Sequence, residues 1–154
     1  MAELGCDSCN ACCKILEVEE IQKPFLKWCP HAKPGAGCSI YTDRPQSCRT
    51  FECVWLVSQR RVPAERMAPE LRPDRSHVIF APIDQVDPDH RLHVHVDPHH
   101  PMAWTRKDVK RWLERIVSRG VTVILRVGEK HTVLRRDLPT MTRAHPTGER
   151  TGVL

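Results

Sequence analysis

Eight cysteines fall between positions 6 and 53 in the pattern C-x2-C-x2-C-C-x15-C-x8-C-x9-C-x4-C, and the rest of the chain has none. The chain opens Met1-Ala2-Glu3-Leu4-Gly5, without a basic start or a long apolar run, so no secretory signal is expected and the thiols are placed in a reducing cytosol. Thiols there hold metal or do redox chemistry, whereas a disulfide framework needs an oxidising compartment. One cysteine alone would read as a small buried hydrophobe, but eight unligated thiols so close together would oxidise or scavenge metal. Cys6, Cys9, Cys12, Cys13, Cys29, Cys38, Cys48 and Cys53 are therefore the candidate metal ligands.

Spacing narrows the metal to two classes. Cys6, Cys9 and Cys12 form C-x2-C-x2-C, the run by which a bacterial ferredoxin wraps three corners of an iron-sulfur cluster, and Cys29-Pro30 supplies a Cys-Pro. The same C-x2-C unit is a zinc knuckle, with a ribbon-like gap from Cys13 to Cys29. A zinc ribbon would then close on a second C-x2-C, yet Cys38, Cys48 and Cys53 are spread apart. Adjacent Cys12 and Cys13 do not readily serve one ion, which points to two metals or to a cluster ligand beside a spare thiol. Eight thiolates suffice for two tetrahedral sites or for one four-cysteine cluster with four thiols left over, so zinc and iron-sulfur both stay open. His31 and Glu52 are further donors beside the cysteines.

Residues 1–57 are rich in turn residues, such as Lys33-Pro34-Gly35-Ala36-Gly37, and poor in periodic apolar pattern. Metal ligation would supply the stability that so loop-rich a segment lacks. One short helix is expected there, with Asp43 as N-cap and Pro45 in its first turn, running toward Trp55 and carrying Cys48. Between 59 and 76, Pro63, Pro69 and Pro73 exclude any long helix.

The pattern then becomes regular. Val78–Ala81 reads as a strand and Leu92–Val96 alternates apolar and polar as a half-buried strand does, the two pairing as a hairpin. Thr105 is the expected N-cap of a helix carrying Val109, Trp112, Leu113, Ile116 and Val117 on one face, with Gly120 stopping it. Val121–Val127 and Thr132–Leu134 flank Gly128-Glu129-Lys130 as a second hairpin. The expected fold is thus α+β: a Cys-rich, loop-dominated module over 1–57, packed on a small antiparallel sheet of order β-β-α-β-β over 58–138 with one long amphipathic helix, and a disordered tail over 139–154.

Charge divides unevenly, with six Lys/Arg against seven Asp/Glu before residue 58 and eighteen against twelve after it. The basic residues are scattered through helix and strand patterns without interleaved aromatics, so specific nucleic-acid binding is not expected and a basic face toward solvent or a protein partner is. No apolar run approaches the ~20 residues of a membrane helix.

His90, His93, His95, His99 and His100 crowd one stretch, with Asp87, Asp89 and Asp97 close by. The pattern reads first as a polar strand face and a Pro-rich turn, and the alternative is metal ligation by His93 and His95 from one face of their strand. There is no HExxH, no phosphate-binding glycine loop and no nucleophile elbow. A Cys29–His31 nucleophile is conceivable, but ligation is the simpler role for Cys29. No catalytic constellation is recognised.

Cys9-Asn10-Ala11-Cys12-Cys13-Lys14, Lys23-Pro24, Trp28-Cys29-Pro30-His31, Gly37-Cys38-Ser39-Ile40-Tyr41, Arg44-Pro45 and Cys48-Arg49-Thr50-Phe51-Glu52-Cys53-Val54-Trp55 closely resemble the YkgJ-like cysteine cluster proteins, described as zinc- or iron-chelating CxxCxxCC domains. The resemblance covers residues 6–57 with all eight cysteines in place. It implies a metal-chelating module, joined in some relatives to activities such as flagellin lysine N-methylase, for which residues 58–154 carry no signal. Within this match Arg44 and Arg49 are placed either to donate to anionic sulfur or, for Arg44, to pair with Asp43 or Glu52. Tyr41 and Trp55 are expected as apolar covers of the metal loops.

Overall fold

Short pieces of helix and turn dominate the first third of the chain. The computed structural model describes residues 8–83 and 89–136. Helix α1 spans Ala11–Ile15, a two-stranded hairpin joins β1 (Ala32–Lys33) to β2 (Gly37–Cys38), and α2 (Gln46–Thr50) and α3 (Val54–Ser58) follow. The hairpin turns at Pro34-Gly35, where the Ala36 amide donates to Lys33 O at 2.8 Å and Gly35 takes φ +76°. Proline before a positive-φ glycine is the composition such a turn demands.

One helix running from Asp43 toward Trp55 is not what forms. Asp43 ends a 3-10 turn (Tyr41–Asp43), Pro45 takes the N-cap of α2, and the backbone becomes extended at Phe51 and Cys53 before α3 begins. Thr50 Oγ1 donates back to Gln46 O at 3.1 Å, the local competition by which a threonine hydroxyl perturbs a helix end. Cys48 does ride on α2, as expected. Downstream, Pro63, Pro69 and Pro73 each open a short helix at its first residue: 3-10 turns Pro63–Glu65 and Pro69–Leu71, then α4 (Pro73–Ser76). The fixed proline φ suits that position, and the missing N–H is one the first turn leaves unpaired anyway.

The remaining elements are β3 (Val78–Phe80), β4 (Leu92–Val96), α5 (Lys107–Ser118), β5 (Val123–Val127) and β6 (Lys130–Leu134), and the sheet order is β3-β4-β5-β6. Both expected hairpins form, with Val78 opposite Val96 and Leu125 opposite Thr132 in antiparallel register. The central pair corrects the expected all-antiparallel sheet: β4 and β5 run parallel, Val94 beside Leu125. With α5 between them the chain returns to the end where β4 began, which makes β4-α5-β5 a crossover unit. The α+β class holds, with a mixed sheet.

Alternation decides which face is covered. Val78, Phe80, Leu92, Val94, Val96, Val123 and Leu125 form one buried face under Val109 and Leu113 of α5, with Met67 and Leu71 of the proline-rich connector in the same core. Trp112 closes its edge, tilted against Phe80 with ring centres 4.5 Å apart. Leu113 is fully buried, a burial worth about 2 kcal/mol. Thr105, the expected N-cap of α5, ends a 3-10 turn and donates Oγ1 to Met102 O at 2.8 Å, so the helix starts after Arg106 without a side-chain cap. Gly120 stops α5 from the residue after its C-cap, with φ +91°.

The opposite face of the sheet receives the cysteine-rich segment. Ile79 and Ile124 are buried, α1 packs against β3, and Phe25 stacks on His95 with ring centres 6.3 Å apart. Lys14 Nζ lies 2.6 Å from the buried Asp97 carboxylate just past β4. The expected tail 139–154 lies outside the described residues, and no helix among the described residues is long and apolar enough to cross a membrane.

Candidate metal centre

Side-chain and backbone hydrogen bonds draw the cysteine loops together. Asn10, buried just before α1, donates Nδ2 to Gly37 O at 2.8 Å and accepts the Gly35 amide at 3.0 Å, pinning the β1–β2 hairpin and its Cys38 to the helix that carries Cys12 and Cys13. The Cys29 amide donates to Cys13 O at 2.9 Å, so Cys29 is held against α1. Glu20 accepts from both the amide and the hydroxyl of Ser47, at 2.9 and 2.8 Å, and holds the start of α2 and its Cys48 to the same region.

At the centre of this assembly lies a buried cation. Lys23 is 3% exposed and donates Nζ to Leu16 O. Burial pushes its pKa down, opposed by the charges of Cys29, Cys13, Cys12 and Cys48 in that order. Four thiols therefore lie within electrostatic reach of one ammonium, and Cys48 in turn feels Cys13 and Cys29. A hydrogen bond from Cys12 is the largest influence on Cys13. With the Asn10 side chain and the Lys23 charge it outweighs burial and brings the Cys13 thiol down to about 6. A thiol so lowered is a thiolate at neutral pH, the form that binds metal and attacks electrophiles.

The other predicted ligands stand in different surroundings. Burial raises the Cys9 thiol, whose nearest charges are Asp74 and Arg72. Cys38 sits on β2 and Cys53 takes the N-cap of α3. All seven described cysteines are half-buried and none is joined to another by a disulfide, while Cys6 lies outside the described residues.

Several neighbours do other work than expected. Arg44 donates Nε to Tyr41 O at 2.8 Å and lies 3.6 Å over the Tyr41 ring. Arg49 donates to Arg44 O and Thr42 O. Both guanidinium groups thus brace the loop before α2, and Glu52 pairs with Arg60. Tyr41 is 47% exposed with the Arg44 guanidinium over its ring, and Trp55 packs against the sheet core with Nε1 donating to Ala68 O at 3.1 Å. His31 contributes its carbonyl to Ser39, and among the described residues no hydrogen bond joins its ring to Cys29. The cation that the sulfurs influence is Lys23, which the sequence offered only as part of the Lys23-Pro24 match.

The histidines divide in a way their spacing did not show. His93 and His95 do share a face, but that face turns toward the cysteine-rich segment. Burial first, then Arg126 and His93, depress the His95 pKa to about 4. Among the described residues, the group of three potential ligand atoms all within 4.8 Å of one another comes from His77, Asp97 and His100. No family model, curated protein or solved structure matches the chain.

The donor set fits a soft or borderline metal: thiolate sulfur suits zinc and iron-sulfur clusters, and the hydrogen bond from Cys12 lowers the Cys13 thiol toward its ionised form. Lys23 offsets anionic charge at the same place. The His/Asp group and the half-buried free cysteines are compatible with metal binding, although among the described residues no three cysteine sulfurs lie within 4.8 Å of one another.

Proposed function

We propose that this chain is a metal-binding protein of the YkgJ-like kind, holding zinc or an iron-sulfur cluster through its clustered cysteines in a structural or partner-presenting role. The observation that carries the reading is Lys23, a buried ammonium within reach of Cys12, Cys13, Cys29 and Cys48. An isolated buried ammonium is expensive, and a set of metal-bound thiolates would supply its counter-charge. Cys12, Cys13, Cys29 and Cys48 are the first set assigned to metal, with Cys6, Cys9, Cys38 and Cys53 as the remaining donors.

Purification without oxygen, followed by zinc, iron and acid-labile sulfide analysis and a visible spectrum, tests the reading. Zinc without colour supports closed structural sites. Iron with sulfide and visible absorption supports a cluster and moves the role toward redox chemistry or an accessory subunit of a redox enzyme. Folded protein that binds no metal refutes the proposal.

A further inference from the structure

His77 and Asp97 flank the open end of the β3–β4 ladder, one residue beyond the Val78–Val96 pair, and the Asp97 amide donates to His77 O at 2.9 Å. Asp97-Pro98-His99-His100 then forms a tight turn closed by the His100 amide on Asp97 O at 2.8 Å. Aspartate at the first position and proline at the second are the residues such a turn favours. Two hydrogen-bonded segments thereby fix the backbones of His77, Asp97 and His100 against one another. His77 adopts φ +59° as the C-cap of α4, a left-handed conformation usually left to glycine or asparagine.

We infer that His77, Asp97 and His100 form a second metal site, of nitrogen and oxygen donors, that takes a divalent first-row transition ion such as zinc. It shares no ligand with the cysteine site, so either assignment can fail without the other. Two imidazoles and a carboxylate are the donor types that zinc sites with an open position use. In a tetrahedral site with bonds of about 2.0–2.1 Å, ligand atoms stand about 3.3 Å apart. Asp97 Oδ2 and His100 Nδ1 are 3.5 Å apart. The two rings lie stacked, 3.6 Å between centres and 7° between planes, so their lone pairs lie in parallel planes. Convergence on one ion needs a ring to tilt, and His100, 48% exposed, has room to do so.

Asp97 is placed to serve as the anionic ligand. Its carboxylate is buried, Oδ1 accepts the His99 amide at 3.0 Å and lies 3.1 Å from His99 Nδ1, and Oδ2 accepts Lys14 Nζ at 2.6 Å. A carboxylate oxygen carries two lone pairs, so Oδ2 can keep Lys14 and still face the metal. His99, largely exposed beside them, is within reach of the same carboxylate.

Total zinc per chain, as purified plus bound on calorimetric titration with Zn²⁺, is compared among the wild type, His100→Ala, His77→Ala and the exposed control His131→Ala. The expected result is one zinc fewer, or binding weakened roughly tenfold or more, in both site variants, with the control like wild type. Their sulfur-bound metal should stay unchanged, and their thermal midpoints should fall by no more than the loss of this one zinc accounts for. His100→Ala alone decides the matter if His77→Ala fails to fold, because the His100 side chain is half-exposed. Equal zinc uptake by His100→Ala and wild type overturns the site, as does a wild type whose zinc is all accounted for by cysteine.

Discussion

Lys14 and Asp97, 83 positions apart, meet at 2.6 Å and tie the helix that carries Cys12 and Cys13 to the end of a central strand. The carboxylate is 6% exposed and the lysine 20%, so the pair is shielded from the water that makes surface ion pairs weak. Replacing Lys14 by Met should lower stability by about 2 kcal/mol, the loss of a charge-assisted hydrogen bond to a buried carboxylate. Urea unfolding checks this, and a change under about 0.5 kcal/mol, the range of ordinary surface substitutions, would show that the tie is ornamental.

His95 gives the chain an acid sensitivity of known sign. Its folded pKa, depressed to about 4, lies below the unfolded value of about 6.5. The neutral buried ring therefore contributes full stability above about pH 6.5, and this is lost as pH falls toward about 4, because the unfolded chain binds the proton first. His95→Gln should show a shallower decline of thermal midpoint with pH across that window than the wild type. Parallel curves would remove His95 as the cause.

In metal-free protein, Cys13 should be the thiol most easily alkylated at mildly acidic pH. Its rate with iodoacetamide should be half-maximal near about 6, since the thiolate is the nucleophile. Cys12→Ala removes the hydrogen bond that contributes most and should move the profile toward the ordinary thiol range. Mass spectrometry of the alkylated peptide assigns the site.

Cys48→Ser removes a thiol from the set around Lys23 and should lower both bound metal and thermal midpoint, with the loss matched in the parent protein by a strong chelator. Native metal content and unchanged melting would strike Cys48 from the ligands.

Leu113→Ala should lower stability by about 3 kcal/mol, as expected for emptying a fully buried leucine site in a packed core. Because Leu113 faces the sheet from α5, metal content should remain that of the parent. Metal loss in this variant would mean that the sheet and the cysteine loops unfold as one.

Helix α5 was legible because Val109, Trp112, Leu113, Ile116 and Val117 repeat at helical spacing, and β4 because its apolar residues alternate with histidines. The direction of β5 relative to β4 was not, since periodicity reports which face is buried and not which way a strand runs. Lys23 carried no signal as a buried cation: a lysine before proline looks exposed until tertiary contacts close over it. His77 was overlooked because it lies in a turn away from the histidine-rich stretch. Pairing of the two strands already expected as a hairpin, in the register Val78 opposite Val96, places it beside Asp97. The cysteine positions were plain from spacing, but their gathering around one ammonium depended on Asn10 and Glu20, polar residues whose partners lie far along the chain.

The parallel β4–β5 pair also bears on how the chain reaches this structure. Two parallel neighbours cannot meet through a tight turn, so their ladder waits until α5 and its flanking turns have closed the intervening loop. Much of the cysteine-rich segment is wired by contacts between residues close in sequence, such as Val18 with Lys23 and Ala32 with Cys38. Sheet closure is thus the expected slow step in folding.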